Sequence, residues 1–283
     1  MSSLQTVLLG ALAGFTIFLG LPLARVRKTD PRLCAGLSAL ALGILLFLLW
    51  DVLVHAVEPV EEALDEATAG EGAWGEFAGL AALLAGGVAA GMLSLVYYDR
   101  WMGRRARPSG LIGPGAAAVV EFEERSRLAA LSPGRQLALL IATGIGLHNF
   151  GEGLAIGQSA AAGEVALALT LIIGFGLHNA TEGFGIVGPM AGEGARPGWG
   201  FLFLLGLIGG GPTFLGTVVG QWWVSEAVSV GFFAVAAGSI LFVVQELFHV
   251  TRRFNLPVLA TWALLLGLAL GFGTDFVLEA VGG

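Results

Sequence analysis

The stretch from Leu33 to Val54, L-C-A-G-L-S-A-L-A-L-G-I-L-L-F-L-L-W-D-V-L-V, holds one charged residue, Asp51, in 22 positions. A helix needs about 20 mostly apolar residues to cross the hydrocarbon core of a bilayer, where no water can satisfy a bare backbone. Seven further stretches repeat the pattern: Leu4 to Ala24, Phe77 to Tyr98, Gln136 to Ala160, Val165 to Met190, Trp199 to Trp223, Ala227 to Val250 and Leu256 to Val277. Membrane β-strands would read as segments of about ten residues with alternating polarity, and no part of the chain does. The expected fold is therefore an all-α polytopic membrane protein, a bundle of eight transmembrane helices forming a single transmembrane domain over residues 1–283.

Composition supports the same class. Of the 283 residues, 56% are hydrophobic and 12% charged, where a soluble domain carries about 25% charged residues. The 45 glycines suit a bundle whose helices approach closely in lipid. Cys34 is the single cysteine, which excludes an intrachain disulfide framework and any C-x-x-C site. A net charge of -7 argues against a nucleic-acid partner. The lipid bilayer, and a second copy of the chain in a homodimer, remain as partners. The opening residues M-S-S-L-Q place no basic segment ahead of the first apolar run, so that run is expected to be a retained helix.

Orientation follows from the basic residues, since Lys and Arg in short loops stay in the cytoplasm. Arg25, Arg27, Lys28 and Arg32 follow the first span, and Arg100, Arg104, Arg105, Arg107, Arg125, Arg127 and Arg135 lie between the third and fourth. Arg196 follows the fifth, and Arg252 and Arg253 follow the seventh. Eight spans put all fourteen on one side, with both termini extracytoplasmic in a cell (inner) membrane. The outer segment from Glu58 to Glu76 bears seven acidic residues and no basic one; it reads as a solvated acidic outer loop or short surface helix, or, in functional terms, as a funnel that concentrates cations at an entrance. The inner segment from Asp99 to Arg135, with Pro108, Gly110, Gly113, Pro114 and Gly115, reads as a flexible cytoplasmic linker.

Ionisable groups inside spans are costly and point to function. The fourth span contains G-I-G-L-H-N-F-G-E-G-L-A-I-G from Gly144, and the fifth contains G-F-G-L-H-N-A-T-E-G-F-G-I-V from Gly174, identical at eight of fourteen positions. His148 and Glu152, and likewise His178 and Glu182, are four residues apart and lie within about 40° on one helical face. Asn149 and Asn179 stand beside them. Both motifs fall near mid-membrane, and their imidazoles, carboxylates and carboxamides are donors of the kind that hold divalent transition metals, zinc especially. The flanking glycines would allow local unwinding and a close approach of the two helices.

These motifs, H-N-x-x-E-G on consecutive fourth and fifth spans of an eight-span chain, resemble the ZIP (Zrt/Irt-like) family of divalent metal transporters. The resemblance implies transport of Zn2+ or a related ion such as Cd2+, Fe2+ or Mn2+ toward the cytoplasm, with the metal as substrate and no prosthetic group. It also implies a mid-membrane site in which His148, Glu152, His178 and Glu182 form one centre. Asn149 and Asn179, sharing the two glutamates, would face a second metal. The chain departs from the family pattern where Gly151 and Thr181 replace a common proline, where Gly211 precedes Pro212 in place of a carboxylate, and in a linker without histidine.

Other polar positions are candidates along the path. Glu246 and His249 on the seventh span could receive the ion on exit, Asp51 and His55 on the second could bind it on entry, and Thr213 and Gln221 could face the pathway. Two other classes compete with metal transport. An intramembrane metal-dependent hydrolase would need an open zinc position and a general base that is not a ligand, and no H-E-x-x-H occurs. A proton-coupled organic-solute transporter would use buried Glu and His as a proton relay.

Overall fold

The computed structural model describes residues 1–25, 30–106, 131–163, 165–190, 196–222 and 225–282. Among these residues there are eight α-helices and no strand: α1 (Ser3–Phe15), α2 (Pro31–Ala69), α3 (Trp74–Ala106), α4 (Pro133–Ala161), α5 (Val165–Val187), α6 (Trp199–Gly220), α7 (Glu226–Arg253) and α8 (Pro257–Gly282). Two 3-10 turns, Thr16–Leu19 and Leu21–Arg25, prolong α1, and Gly188–Met190 prolongs α5. Seven of the eight are long and apolar enough to cross a membrane, α1 together with its turns; α5 is the eighth. The central part of the expected linker, residues 107–130, lies outside the described residues, while 99–106 and 133–135 belong to α3 and α4.

Local chemistry sets several ends. Ser2 and Gln5 form a reciprocal capping box on α1, satisfying donors that the first turn leaves open. Asp30 accepts from the Arg32 N–H at 2.9 Å and Pro31 opens α2, a position where its missing N–H costs nothing. Gly70 closes α2 in the left-handed region at φ 80°, which only glycine enters freely.

Of the loop and the surface helix expected for the acidic segment, the structure has helix as far as Ala69, a continuation of α2, whose 39 residues make a rod of about 58 Å, nearly twice the ~30 Å hydrocarbon thickness. Val60 and Ala63 hold the extension by packing against Leu80 of α3 and Val230 of α7. Apolar side chains at these positions outweigh the repulsion among Glu58, Glu61, Glu62, Asp65 and Glu66, which share the solvent with water. Pro59 sits inside the helix and removes one rung of its hydrogen-bond ladder.

Glycine contacts sort the helices into two groups of four. Within the first, α4 lies backbone to backbone on α6, where a Cβ at Gly153 would overlap the Thr213 carbonyl oxygen and one at Gly216 that of Phe150; Gly14 of α1 meets Gly210 of α6 the same way. Within the second, Gly91 and Gly238 join α3 to α7, and Gly43 and Gly267 join α2 to α8. The groups α1, α4, α5, α6 and α2, α3, α7, α8 meet where α4 faces α7 and where α5 faces α2 and α8.

One end of the bundle gathers basic residues. The Arg25 guanidinium donates to the Pro197 carbonyl at 2.6 Å and lies over the Trp199 ring, while Arg135 donates to the Arg196 carbonyl and lies over Phe201. Arg32 lines a recess with Asn255 and Pro257. The main apolar core, including Leu45, Ile141, Ile145, Ile186 and Leu205, fills the bundle between that end and the polar motifs.

Candidate metal site

His148, Asn149 and Glu152 on α4 and His178, Asn179 and Glu182 on α5 are all buried, none more than 6% exposed. Their helical spacing turns each imidazole and carboxylate to the same side of its helix, and the pairing of α4 with α5 brings the two stripes together. His148 Nε2 lies 3.0 Å from Glu152 Oε1 and 3.8 Å from Glu182 Oε1, without hydrogen-bond alignment at either. Asn149 Nδ2 donates to Asn179 Oδ1 at 2.6 Å, to Glu182 Oε2 at 3.2 Å and to the Gly209 carbonyl at 2.9 Å. Asn179 Nδ2 donates to the Ala13 carbonyl at 3.2 Å and to Glu152 Oε2 at 3.5 Å. His178 stands apart from this cluster. Its Nε2 is 3.3 Å from Thr274 Oγ1 of α8, and its ring meets Phe47 of α2 edge-on.

Six buried side-chain atoms in the two motifs lack a hydrogen-bond partner: both ring nitrogens of His148, Nδ1 of His178, Oδ1 of Asn149 and Oε1 of each glutamate. Burying such groups unpaired costs several kcal/mol in apolar surroundings. Among the described residues, no three His, Cys, Asp or Glu side chains are arranged to hold a metal ion as they stand.

The glycines act differently from the expectation of unwinding. Both motif helices run through unbroken. Gly146, Gly153 and Gly157 face α6, on the side of α4 about 140° from the His/Glu stripe, and Gly183 of α5 faces the turns after α1. Close approach is thus made to α6 and α1, leaving the ligand-bearing sides free. Gly151, where a proline was expected from the family pattern, has only the Phe233 ring nearby, at 3.6 Å.

A cavity of about 180 Å³ reaches the motifs from the end opposite the basic residues; its polar lining is Asp51, His55, His148, Glu152, Gln158 and Ser159. Asp51 and His55, the entry candidates, thus share one wall with two motif residues. Glu246 and His249 do not join them. His249 is exposed, with Nδ1 2.8 Å from the Gln245 carbonyl, and it lies roughly 24 Å along α7 from Phe233 of the cavity. Thr213 lies on α6 at its glycine-lined contacts, and Gln221, the residue that caps the end of α6, donates from Nε2 to the Thr217 carbonyl. Two neighbouring residues of the last span escaped the sequence reading: Thr274, against His178, and Asp275 beside it in the chain. Asp275 is an ionisable residue inside the last span, the same signal that singled out Glu152.

A family model described as ZIP Zinc transporter matches residues 118–274, more than half of the chain and all of both motifs. The chain belongs to the ZIP zinc transporter family. No curated protein matches it. As a ZIP-family member it is a membrane transporter of divalent metal ions, and the metal is its substrate. The matched region begins before α4 and ends in α8, so it takes in residues of both helical groups and both sides of the His178–Thr274 contact.

Proposed function

We propose that this ZIP protein moves Zn2+ across the cell membrane toward the cytoplasm as a single transporter unit, through a site formed by His148, Asn149, Glu152, His178, Asn179 and Glu182. The observation that carries the reading is the set of six buried nitrogen and oxygen atoms on the two facing motifs that have no hydrogen-bond partner. A divalent cation would give these atoms the partner that the protein does not. Zinc held tetrahedrally at about 2.0 to 2.1 Å requires ligand atoms about 3.4 Å apart, a spacing bracketed by the 3.0 and 3.8 Å from His148 Nε2 to the two glutamates. His178 would complete the centre by leaving Thr274 and turning toward His148. Mixed imidazole and carboxylate donors suit Zn2+ and also accept Cd2+, Fe2+ or Mn2+.

Direction rests on the basic end of the bundle, retained in the cytoplasm by its arginines, and on the cavity that opens at the other end. Glu246 and His249, at the basic end, would take the ion as it leaves. The test is Zn2+ uptake by proteoliposomes containing the purified protein. Glu152→Gln and Glu182→Gln keep side-chain size and remove an anionic ligand, so each should nearly abolish flux while thermal melting shows the fold intact. Normal uptake by both variants would defeat this assignment.

A further inference from the structure

We propose that Thr274 of α8 is a positioning residue for the metal centre: it docks the His178 ring away from His148, and an incoming divalent cation must draw the ring off this dock. The inference rests on the transport reading above and adds to it a residue that sets how tightly the centre holds its ion.

The two motifs repeat one sequence, yet their histidines have different surroundings. His148 Nε2 lies 3.0 Å from Glu152, one turn on, whereas His178 Nε2 meets Thr274 Oγ1 at 3.3 Å. Spacing within the motifs is the same, so the difference comes from the helices packed against α5. The His178 ring also stands edge-on to Phe47 of α2, with centroids 5.5 Å apart. Phe47 is held in turn by Phe272 at 4.9 Å, and a Cβ at Gly271 would overlap its ring. The dock is thus one hydroxyl and one fixed aromatic wall, enclosing a histidine only 6% exposed.

The hydrogen bonds decide which nitrogen is engaged. Thr274 Oγ1 has a single proton and donates it to the Gly271 carbonyl at 2.8 Å, which can only accept. Toward His178 the hydroxyl is therefore an acceptor, and the ring carries its proton on Nε2. Nδ1 has no hydrogen-bond partner; a second proton there would bury a charge and an unsatisfied donor together, so the docked ring is neutral. One nitrogen is satisfied and the other is bare. Such a dock holds the ring until a better partner arrives, and a metal is that partner.

The consequence is a moderated affinity, because apparent binding scales with the fraction of molecules whose ring is free to ligate. A transport site must bind strongly enough to fill and weakly enough to empty. A ligand with a second resting place weakens the hold on the ion while leaving the donor set complete.

Equilibrium Zn2+ binding to the full-length protein and to Thr274→Val and Thr274→Ser tests the dock. Thr274→Val keeps the shape and loses the hydroxyl, so Zn2+ should bind it about two- to tenfold more tightly. Thr274→Ser keeps the hydroxyl and should bind as the unmodified protein does. Nitrogen NMR of protein isotopically labelled at histidine, without metal, gives a readout that packing alone would not move. The His178 signals, identified by their loss in His178→Gln, should show the proton on Nε2 in the unmodified protein and in Thr274→Ser, and mixed tautomers in Thr274→Val. Unchanged or weaker binding by Thr274→Val, or a proton on Nδ1 of His178 in the unmodified protein, would overturn the dock. Failure of the transport-site reading looks different: His178→Gln would then bind Zn2+ as tightly as the unmodified protein, and the dock, with no ligand to withhold, would fall with it.

Discussion

Asn149 places its carboxamide nitrogen among Asn179 Oδ1, Glu182 Oε2 and the Gly209 carbonyl, an acceptor-lined spot of the sort that attracts a cation. With Gly211 in place of a carboxylate before Pro212, the two motif glutamates are the only anionic groups the motifs offer. Two divalent ions about 3.5 to 4 Å apart would exceed that charge, so calorimetry with Zn2+ should find one tight ion. Asn149→Asp exchanges a donor for an anion and should raise the tight stoichiometry toward two; two equal tight ions in the unmodified protein would refute the charge argument. Ligation also fixes the response to pH. Imidazole and carboxylate bind metal only after losing their protons, so affinity should decline as acidification passes the ordinary His range, about 6.5. An affinity flat down to about pH 5.5 would count against His148 and His178 as ligands.

Between helices, the two faces of α4 have separate duties. Gly153 is pressed against the Thr213 carbonyl, whereas Gly151 faces only the Phe233 ring at 3.6 Å. Gly153→Ala must push α6 away and should cost about 1 to 3 kcal/mol or more, visible as a lowered melting temperature. Gly151→Ala should melt close to the unmodified protein. Equal stability of the two would contradict the packing described. The four-residue spacing of His148 and Glu152 made the ligand stripe legible from sequence, because helical periodicity reports which side chains share a face. It does not report which neighbour that face meets. The motif glycines therefore suggested an α4–α5 approach, where the structure spends them on α6 and α1. The acidic run left loop and surface helix open for a related reason: its charges signal solvent, and solvent is equally compatible with a helix once Val60 and Ala63 anchor one side.

Across the whole molecule, the all-helical class and seven of the eight spans were readable because lipid imposes length rules on any sequence. Thr274 became meaningful only when α8 was seen beside α5, a pairing that no local pattern encodes. The single cysteine, Cys34, is buried, so introduced cysteines should be the main labelled sites in intact cells. Those placed between Glu58 and Glu76 should react with an impermeant reagent from outside, and those between Asp99 and Arg135 should not. Reversed labelling would invert the orientation and the direction of transport. The rung missing at Pro59 also divides α2 for local opening. Helix can fray from Gly70 back to that break without disturbing the buried rungs between Ser38 and Val52, so backbone amides beyond Pro59 should exchange with deuterium long before those within the span.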